Sequence, residues 1–233
     1  MENVSHSTLG RGWPQGPAAP ALDDGTVHVW RMDLDALPDG LQDLLSEPER
    51  ARAARFRDRD QARRWGRAHG ALRELLARYL ADDPRGLSLA AGAFGKPQLK
   101  PARRGTAGSP EFPSFNISHS GPLALFGFSA AGEIGVDVEQ AREQGNEVAL
   151  AARAFGAEAA ERLAGLDPSA RPVEFLRAWT EHEAVLKCLG TGFGVQSTAR
   201  NAPWRTGLDV WPLAAAAVAV ERAPAAMCCW EYR

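Results

Sequence analysis

Hydrophobic and polar positions alternate along TVHVWRMDL (residues 26–34), with Val27 and Val29 on one side, and this period of two predicts the first strand of the ordered chain. The period then changes. In DLLSEPERARAARFRDRDQARRWGRAHGALRELLARYL (residues 43–80) Ser46 stands as an N-cap, Pro48 falls in a first turn, and Leu72, Leu75, Leu76, Tyr79 and Leu80 recur at helical spacing, so two helices are expected. Residues 101–114 are rich in Gly, Pro and Ser and read as a loop. LALFGFS (123–129) has the apolar character of a buried strand, and AAGEIGVDVE repeats the pattern after a glycine turn, so the two are expected to pair as a hairpin. One helix is expected over residues 147–166, from the spacing of Val148, Leu150, Ala151, Phe155 and Leu163. EFLRAWTEHEAVLKCLG carries the strongest helical pattern, with Phe175, Leu176, Trp179, Val185, Leu186 and Leu189 on one broad side and Gly190 as its stop. Toward the C-terminus LDVWPL and MCCWEYR read as short strands around an alanine-rich segment that fits either class.

Composition adds the outer limits. The 233 residues are 45% hydrophobic, enough to bury a substantial core in one large domain or two small ones. Residues 1–25, rich in Gly, Pro and Ala, read as a poorly ordered tail without the basic start and apolar block of a targeting signal, and no apolar run is long enough to span a membrane. Cys188, Cys228 and Cys229 show no C-x-x-C or Cys/His ligand spacing and read as reduced thiols, so a cytoplasmic protein is expected. The net charge of −2 conceals an asymmetry: residues 49–104 hold fifteen Lys/Arg against six Asp/Glu. Such a basic segment suits a phosphorylated small molecule, or is a solvated arginine-rich helix; without interleaved exposed aromatics, nucleic acid is a weak partner.

Candidate chemistry centres on EIGVDVEQ. In a strand Asp137 and Glu139 point the same way, with α-carbons about 7 Å apart, and a positive charge between them is expected; a divalent cation would supply it. On the long helix Glu183 and Lys187 share a face, an arrangement that on its own reads as a surface ion pair worth a few tenths of a kcal/mol. HEAVL begins like a zinc helix, but Leu186 occupies the place of the second histidine. GTGFG follows a helix rather than a strand and reads as a cap and turn. In FGKP, Lys96 lies between a flexible glycine and Pro97, able to meet a phosphate or simply to form a turn. In FNISHSG, His119 lies between two serines that can face an anion, although a lone histidine is more often structural.

Taken in order, FGKP, FNISHSG, an apolar strand, IGVDVE and then WTEHEAVLK resemble the Sfp-type 4'-phosphopantetheinyl transferases, whose signature is a G-x-D-x-E strand followed by a W/F-x-x-K-E-A/S-x-x-K helix. The resemblance runs from about residue 26 to the last strand. It implies an α/β (α+β) fold of two pseudo-symmetric subdomains, residues 26–130 on the coenzyme A side and residues 131–233 with the metal and the catalytic helix, and a site in the cleft between them within one monomeric chain. It further implies Mg²⁺ held by Asp137, Glu139 and Glu183, coenzyme A as co-substrate, and transfer of its phosphopantetheine to a serine of an acyl- or peptidyl-carrier protein. Glu183 and Lys187 would be catalytic, while Lys96, Pro97, Ser118, His119 and Lys187, with Arg52 and Arg64 on the nucleotide side, would contact coenzyme A. Two alternatives stand beside it, an Mg²⁺-dependent phosphodiester hydrolase and a non-catalytic coenzyme A or carrier-binding module. One position departs from the signature: His182 takes the place of the lysine before the glutamate.

Overall fold

In a computed structural model, residues 12–37, 39–92, 95–100, 113–141, 145–191 and 202–232 are described. Two sheets form most of the framework. The first has strand order β4-β5-β1-β9, made by β1 (Thr26–Asp33), β4 (Ser114–Ser120), β5 (Leu123–Ser129) and β9 (Ala226–Glu231); β9 runs parallel to β1 and the other pairs are antiparallel. The second has order β6-β8-β7, from β6 (Ile134–Gln140), β7 (Trp204–Leu208) and β8 (Ala214–Val220), all antiparallel. A small hairpin of β2 (Leu89–Ala91) and β3 (Pro97–Leu99) brackets the FGKP turn, of which Phe94 lies outside the described residues.

The period-two patterns decide the layering. From β1 and β5, Trp30, Met32, Phe126 and Phe128 face α2 (Arg59–Leu80), whose Ala68, Leu72, Leu75 and Leu76 complete one core. The opposite faces, with Val27, Val29, Leu123 and Leu125, pack on Ile134, Val136, Val138, Val218 and Val220 of the second sheet. Beyond that sheet lies α5 (Arg171–Leu189), flanked by α3 (Glu147–Phe155) and α4 (Ala157–Ala164). The order is helix, sheet, sheet, helix, a mixed α/β architecture. Among the described residues no helix is long and apolar enough to cross a membrane.

Several expectations hold. The two helices in residues 43–80 are α1 (Glu47–Ala53) and α2, with Ser46 at the N-cap of α1, donating its N–H and hydroxyl to Glu49 Oε2. Gly190 ends α5 with φ 62°, a left-handed conformation that costs glycine little. The alanine-rich segment is strand β8. Its Ala215, Ala217 and Ala219 lie under the helices while Ala216, Val218 and Val220 face the sheet-sheet core, so small residues are needed on one side only.

Others are corrected. β5 and β6 do not form a hairpin: β5 pairs with β4 and β1, and β6 begins the other sheet. Both strands are apolar enough to pair with either neighbour, and the chain uses Ala130–Glu133 to change sheets. The helix expected over residues 147–166 is broken into α3 and α4 at Gly156, whose φ of 90° no helix accommodates. The strand expected at LDVWPL lies earlier, at Trp204–Leu208, because Pro212 lacks an N–H to donate and Leu213 adopts φ 57° at the start of β8. Residues 12–25, expected to belong to a poorly ordered tail, are held in place. Trp13 is buried with its indole N–H on the Asp209 carbonyl, and residues 14–16 run beside β9, with Gly16 N and Pro14 O bonded to Glu231. Residues 1–11 and most of the 101–114 loop lie outside the described residues, as does the larger part of GTGFG.

Candidate functional site

The glycine of IGVDVE sets the site. A β-carbon on Gly135 would run into the Ala184 carbonyl oxygen and the Cys188 nitrogen, so α5 rests directly on β6 at this residue. Close approach brings the Lys187 side chain to Asp137, two residues along the same face. Lys187 Nζ lies 2.6 Å from Asp137 Oδ1 and 3.0 Å from Ser118 Oγ, and Ser118 Oγ lies 2.8 Å from the same Asp137 oxygen. Asp137 is buried, and its Oδ2 has no hydrogen-bond partner. The positive charge expected beside this carboxylate is thus already provided, in part, by the chain itself.

Glu183 lies one helical turn before Lys187, half-buried. Burial, and then the charge of Asp137, push its carboxyl above the usual range, against the opposing pull of Lys187 and His182. The reading of Glu183 and Lys187 as a surface ion pair does not describe this geometry, since Lys187 directs its ammonium to Asp137 and Ser118. His182 turns its ring edge-on to Phe155, 5.4 Å between centroids, beside Phe175 and Trp179.

A row of alternate polar residues on β4 reaches across to β6. Ser114 Oγ meets Glu133 Oε1 at 3.0 Å, Asn116 Oδ1 accepts from Val136 N at 3.0 Å, Ser118 meets Asp137, and Ser120 Oγ donates to Glu139 Oε2 at 2.7 Å. Lys96 closes one end. Its ammonium bonds Glu133 Oε2 at 2.7 Å and the carbonyls of Ile134 and Lys187 at 3.0 and 3.3 Å, tying the hairpin to both β6 and α5.

Beside this seam opens a cleft of about 220 Å³ lined by Arg52, Trp65, His69, Lys96, His119 and Lys187, with Pro97 at its edge. It continues past Arg52, Trp65 and His69 into a second hollow of about 150 Å³. Trp65 and His69, four apart on α2, stack with centroids 3.9 Å apart, and the Arg52 guanidinium lies 5.4 Å from the Trp65 ring centroid. Burial depresses His69 to about 4. His119 keeps an exposed edge, yet desolvation by the surrounding protein and then the Lys187 ammonium hold it below the ordinary imidazole range. Arg64 does not join the cleft lining; its guanidinium is paired with Asp35, Nη2 to Oδ2 at 2.5 Å. A larger cavity of about 600 Å³ is lined by residues such as Leu22, Tyr79 and Arg222, shares Ser114 with the polar row, and includes none of the cleft residues. Sequence reasoning missed Trp65 and His69, although an aromatic pair four apart in RRWGRAH was the available signal.

Among the described residues no three Asp, Glu, His or Cys side chains are gathered as a metal-binding group. The donor chemistry nevertheless fits magnesium. Asp137 Oδ2 is a buried oxygen without a partner, hard oxygen ligands are what the ion prefers, and the mutual repulsion of Asp137 and Glu183 is what a divalent charge would relieve.

The profile of the 4'-phosphopantetheinyl transferase superfamily matches residues 133–231, which contain β6, α5 and their junction. A Synechocystis sp. protein provisionally named a 4'-phosphopantetheinyl transferase is 36% identical over 166 residues, covering 71% of this chain and 65% of that protein. The 4'-phosphopantetheinyl transferase HetI of Nostoc sp. is 36% identical over 182 residues, 77% of this chain and 74% of HetI, and AcpT of Salmonella typhi is 33% identical over 118 residues, 51% of this chain and 56% of AcpT. With this identity carried over most of HetI, the chain belongs to the 4'-phosphopantetheinyl transferase family.

Proposed function

We propose that the chain transfers the 4'-phosphopantetheine group of coenzyme A to a serine of an acyl- or peptidyl-carrier protein and releases 3',5'-ADP. The observation that carries this reading is the buried, unpartnered Oδ2 of Asp137 beside Lys187 and the raised Glu183 carboxyl, next to a cleft with Arg52, His119 and Lys96 on its walls. Asp137, Glu139 and Glu183 would hold Mg²⁺, which when bound offsets the charge of the pyrophosphate. Glu183, half-buried one helical turn before Lys187, would take the carrier serine proton. As the serine oxygen bonds to the β-phosphorus, the bond from that phosphorus to the bridging oxygen breaks, and the oxygen leaves with 3',5'-ADP. Lys187 is a fixed cation for the charge that grows there. Arg52 and the Trp65–His69 stack would receive the nucleotide end.

The two layers of sheet, each backed by a long helix, support a description as two related subdomains, although β9 returns from the second half to the first sheet. The test is mass spectrometry of an apo carrier protein incubated with this protein, coenzyme A and Mg²⁺. A covalent gain of phosphopantetheine is expected; free phosphopantetheine with an unchanged carrier would assign hydrolysis instead, and no turnover of coenzyme A would assign a binding module.

A further inference from the structure

The seam between β4 and β6 pairs alternate residues with alternate residues: Ser118 with Asp137, and Ser120 with Glu139. A serine hydroxyl has one proton and two acceptor sites, so the groups around it fix where the proton points. At Ser118 the Lys187 ammonium, which can only donate, sits 3.0 Å from Oγ and occupies an acceptor site. The hydroxyl proton is left for Asp137 Oδ1. At Ser120 the backbone N–H of Gln140 donates to Oγ at 3.3 Å, and the proton is left for Glu139 Oε2 at 2.7 Å. Both hydroxyls are therefore turned toward carboxylates, and both come from one strand whose backbone is fixed in the first sheet by its pairing with β5. Asp137 receives Ser118 and Lys187 on Oδ1 alone, so the carboxylate is held in one orientation with Oδ2 unengaged.

We propose that Ser118 and Ser120 are positioning residues, a pair of hydroxyls at alternate places on β4 that orient the Asp137 and Glu139 carboxylates for a divalent cation. The proposal rests on the metal reading given above. Outer partners of this kind fix the rotamers of the groups they touch, and losing one lowers metal affinity on the order of ten- to a hundredfold without removing a ligand. Ser120 is the cleaner of the two, because its hydroxyl touches neither Lys187 nor the cleft. Thr at this place keeps the hydroxyl and suits a strand; Ala keeps the backbone and removes it.

The experiment is a titration with Mn²⁺ followed by electron paramagnetic resonance, at saturating coenzyme A and without carrier protein, on the full chain and on Ser120→Ala, Ser120→Thr and Asp137→Ala, each checked for folding by thermal melting. The expected result is a rise in the Mn²⁺ Kd of about tenfold or more for Ser120→Ala, near-parental binding for Ser120→Thr, an unchanged coenzyme A affinity in both, and loss of binding in Asp137→Ala. Parental Mn²⁺ affinity in Ser120→Ala, with Asp137→Ala still defective, overturns the positioning role and leaves the metal reading standing. Parental affinity in Asp137→Ala overturns both.

Discussion

Lys187 Nζ and Asp137 Oδ1 lie 2.6 Å apart, joining the last turns of α5 to the middle of β6, and the other oxygen of that aspartate is buried without a partner. The contact has two sides. Asp137 is almost wholly buried, with its side chain 4% exposed against 29% for Lys187, so the aspartate depends on the lysine more than the reverse.

Lys187→Met is therefore expected to cost about 2 kcal/mol, less than the loss of a fully buried ion pair because the lysine end is partly solvated. Chemical denaturation at pH 7 without divalent ions measures it. An unchanged midpoint would mean that the ammonium does not compensate the buried carboxylate.

Gly135→Ala tests the approach of helix to strand. The added methyl meets α5 backbone, which cannot rotate away as a side chain would, and a loss of about 1–3 kcal/mol or more is expected. Transfer should fall further than stability, because moving α5 separates Lys187 and Glu183 from Asp137. A variant with parental denaturation midpoint and parental turnover contradicts this packing.

Glu183→Gln separates base from bystander. Turnover should fall by roughly 10²- to 10⁴-fold, the range for a lost proton acceptor. Stability should move the other way. A carboxyl raised in the folded state contributes stability that is present below its unfolded pKa and lost as pH rises through the folded value. Glutamine keeps the neutral form at every pH, so without metal the variant should be more stable than the parent at pH 7 and equal to it below about pH 4. Paired melts at the two pH values check this, and a destabilised variant at pH 7 would restore the ion-pair reading.

His28 predicts the acid limb of the stability profile. It is buried, held at about 4 chiefly by burial, and its Nδ1 lies 2.9 Å from Tyr79 Oη, which also accepts from Trp30 Nε1 at 2.8 Å. The depressed value means that the unfolded chain binds more protons between about pH 6.5 and 4. Stability should fall across that window as pH drops, by at most about 3 kcal/mol from this residue. His69, also near 4, adds to the same window. Denaturation of His28→Asn across pH 4–7 should show a shallower slope; an unchanged slope removes His28 as a source.

What could be read from the sequence follows from how local each signal is. Gly190, Ser46 and the alternation of IGVDVE are settled by neighbours a few residues away, and all three behave in the structure as their patterns predict. Strand partners are not local. LALFGFS is apolar along nearly its whole length and IGVDVE along one face, nothing in either distinguishes its partner, and the expected hairpin gives way to membership of two sheets. Ser118 was singled out for its place beside His119, but its contact with Asp137 depends on how β4 lies along β6. Arg52 and Arg64 were indistinguishable in an arginine-rich stretch; only the fold sets one beside Trp65 and the other against Asp35. His182, conspicuous as a departure from the signature, meets Phe155, a contact between two helices that no pattern encodes.

The polar row on β4 has a consequence for how copies of this protein meet one another. β4 and β6 are each the last strand of a sheet, and an open strand edge is a template onto which another chain can add. Here Asn116 takes the Val136 N–H, Ser120 takes the Gln140 N–H and Lys96 fills the Ile134 carbonyl, so side chains of the same protein take up three of the backbone groups along this edge of β6. At the far end of the first sheet, residues 14–16 lie along β9 and take up the N–H and carbonyl of Glu231. Losing Asn116 would therefore do more than delete one hydrogen bond. It would leave the Val136 N–H, fully buried between the two sheets, without a partner, a cost of about 1–3 kcal/mol.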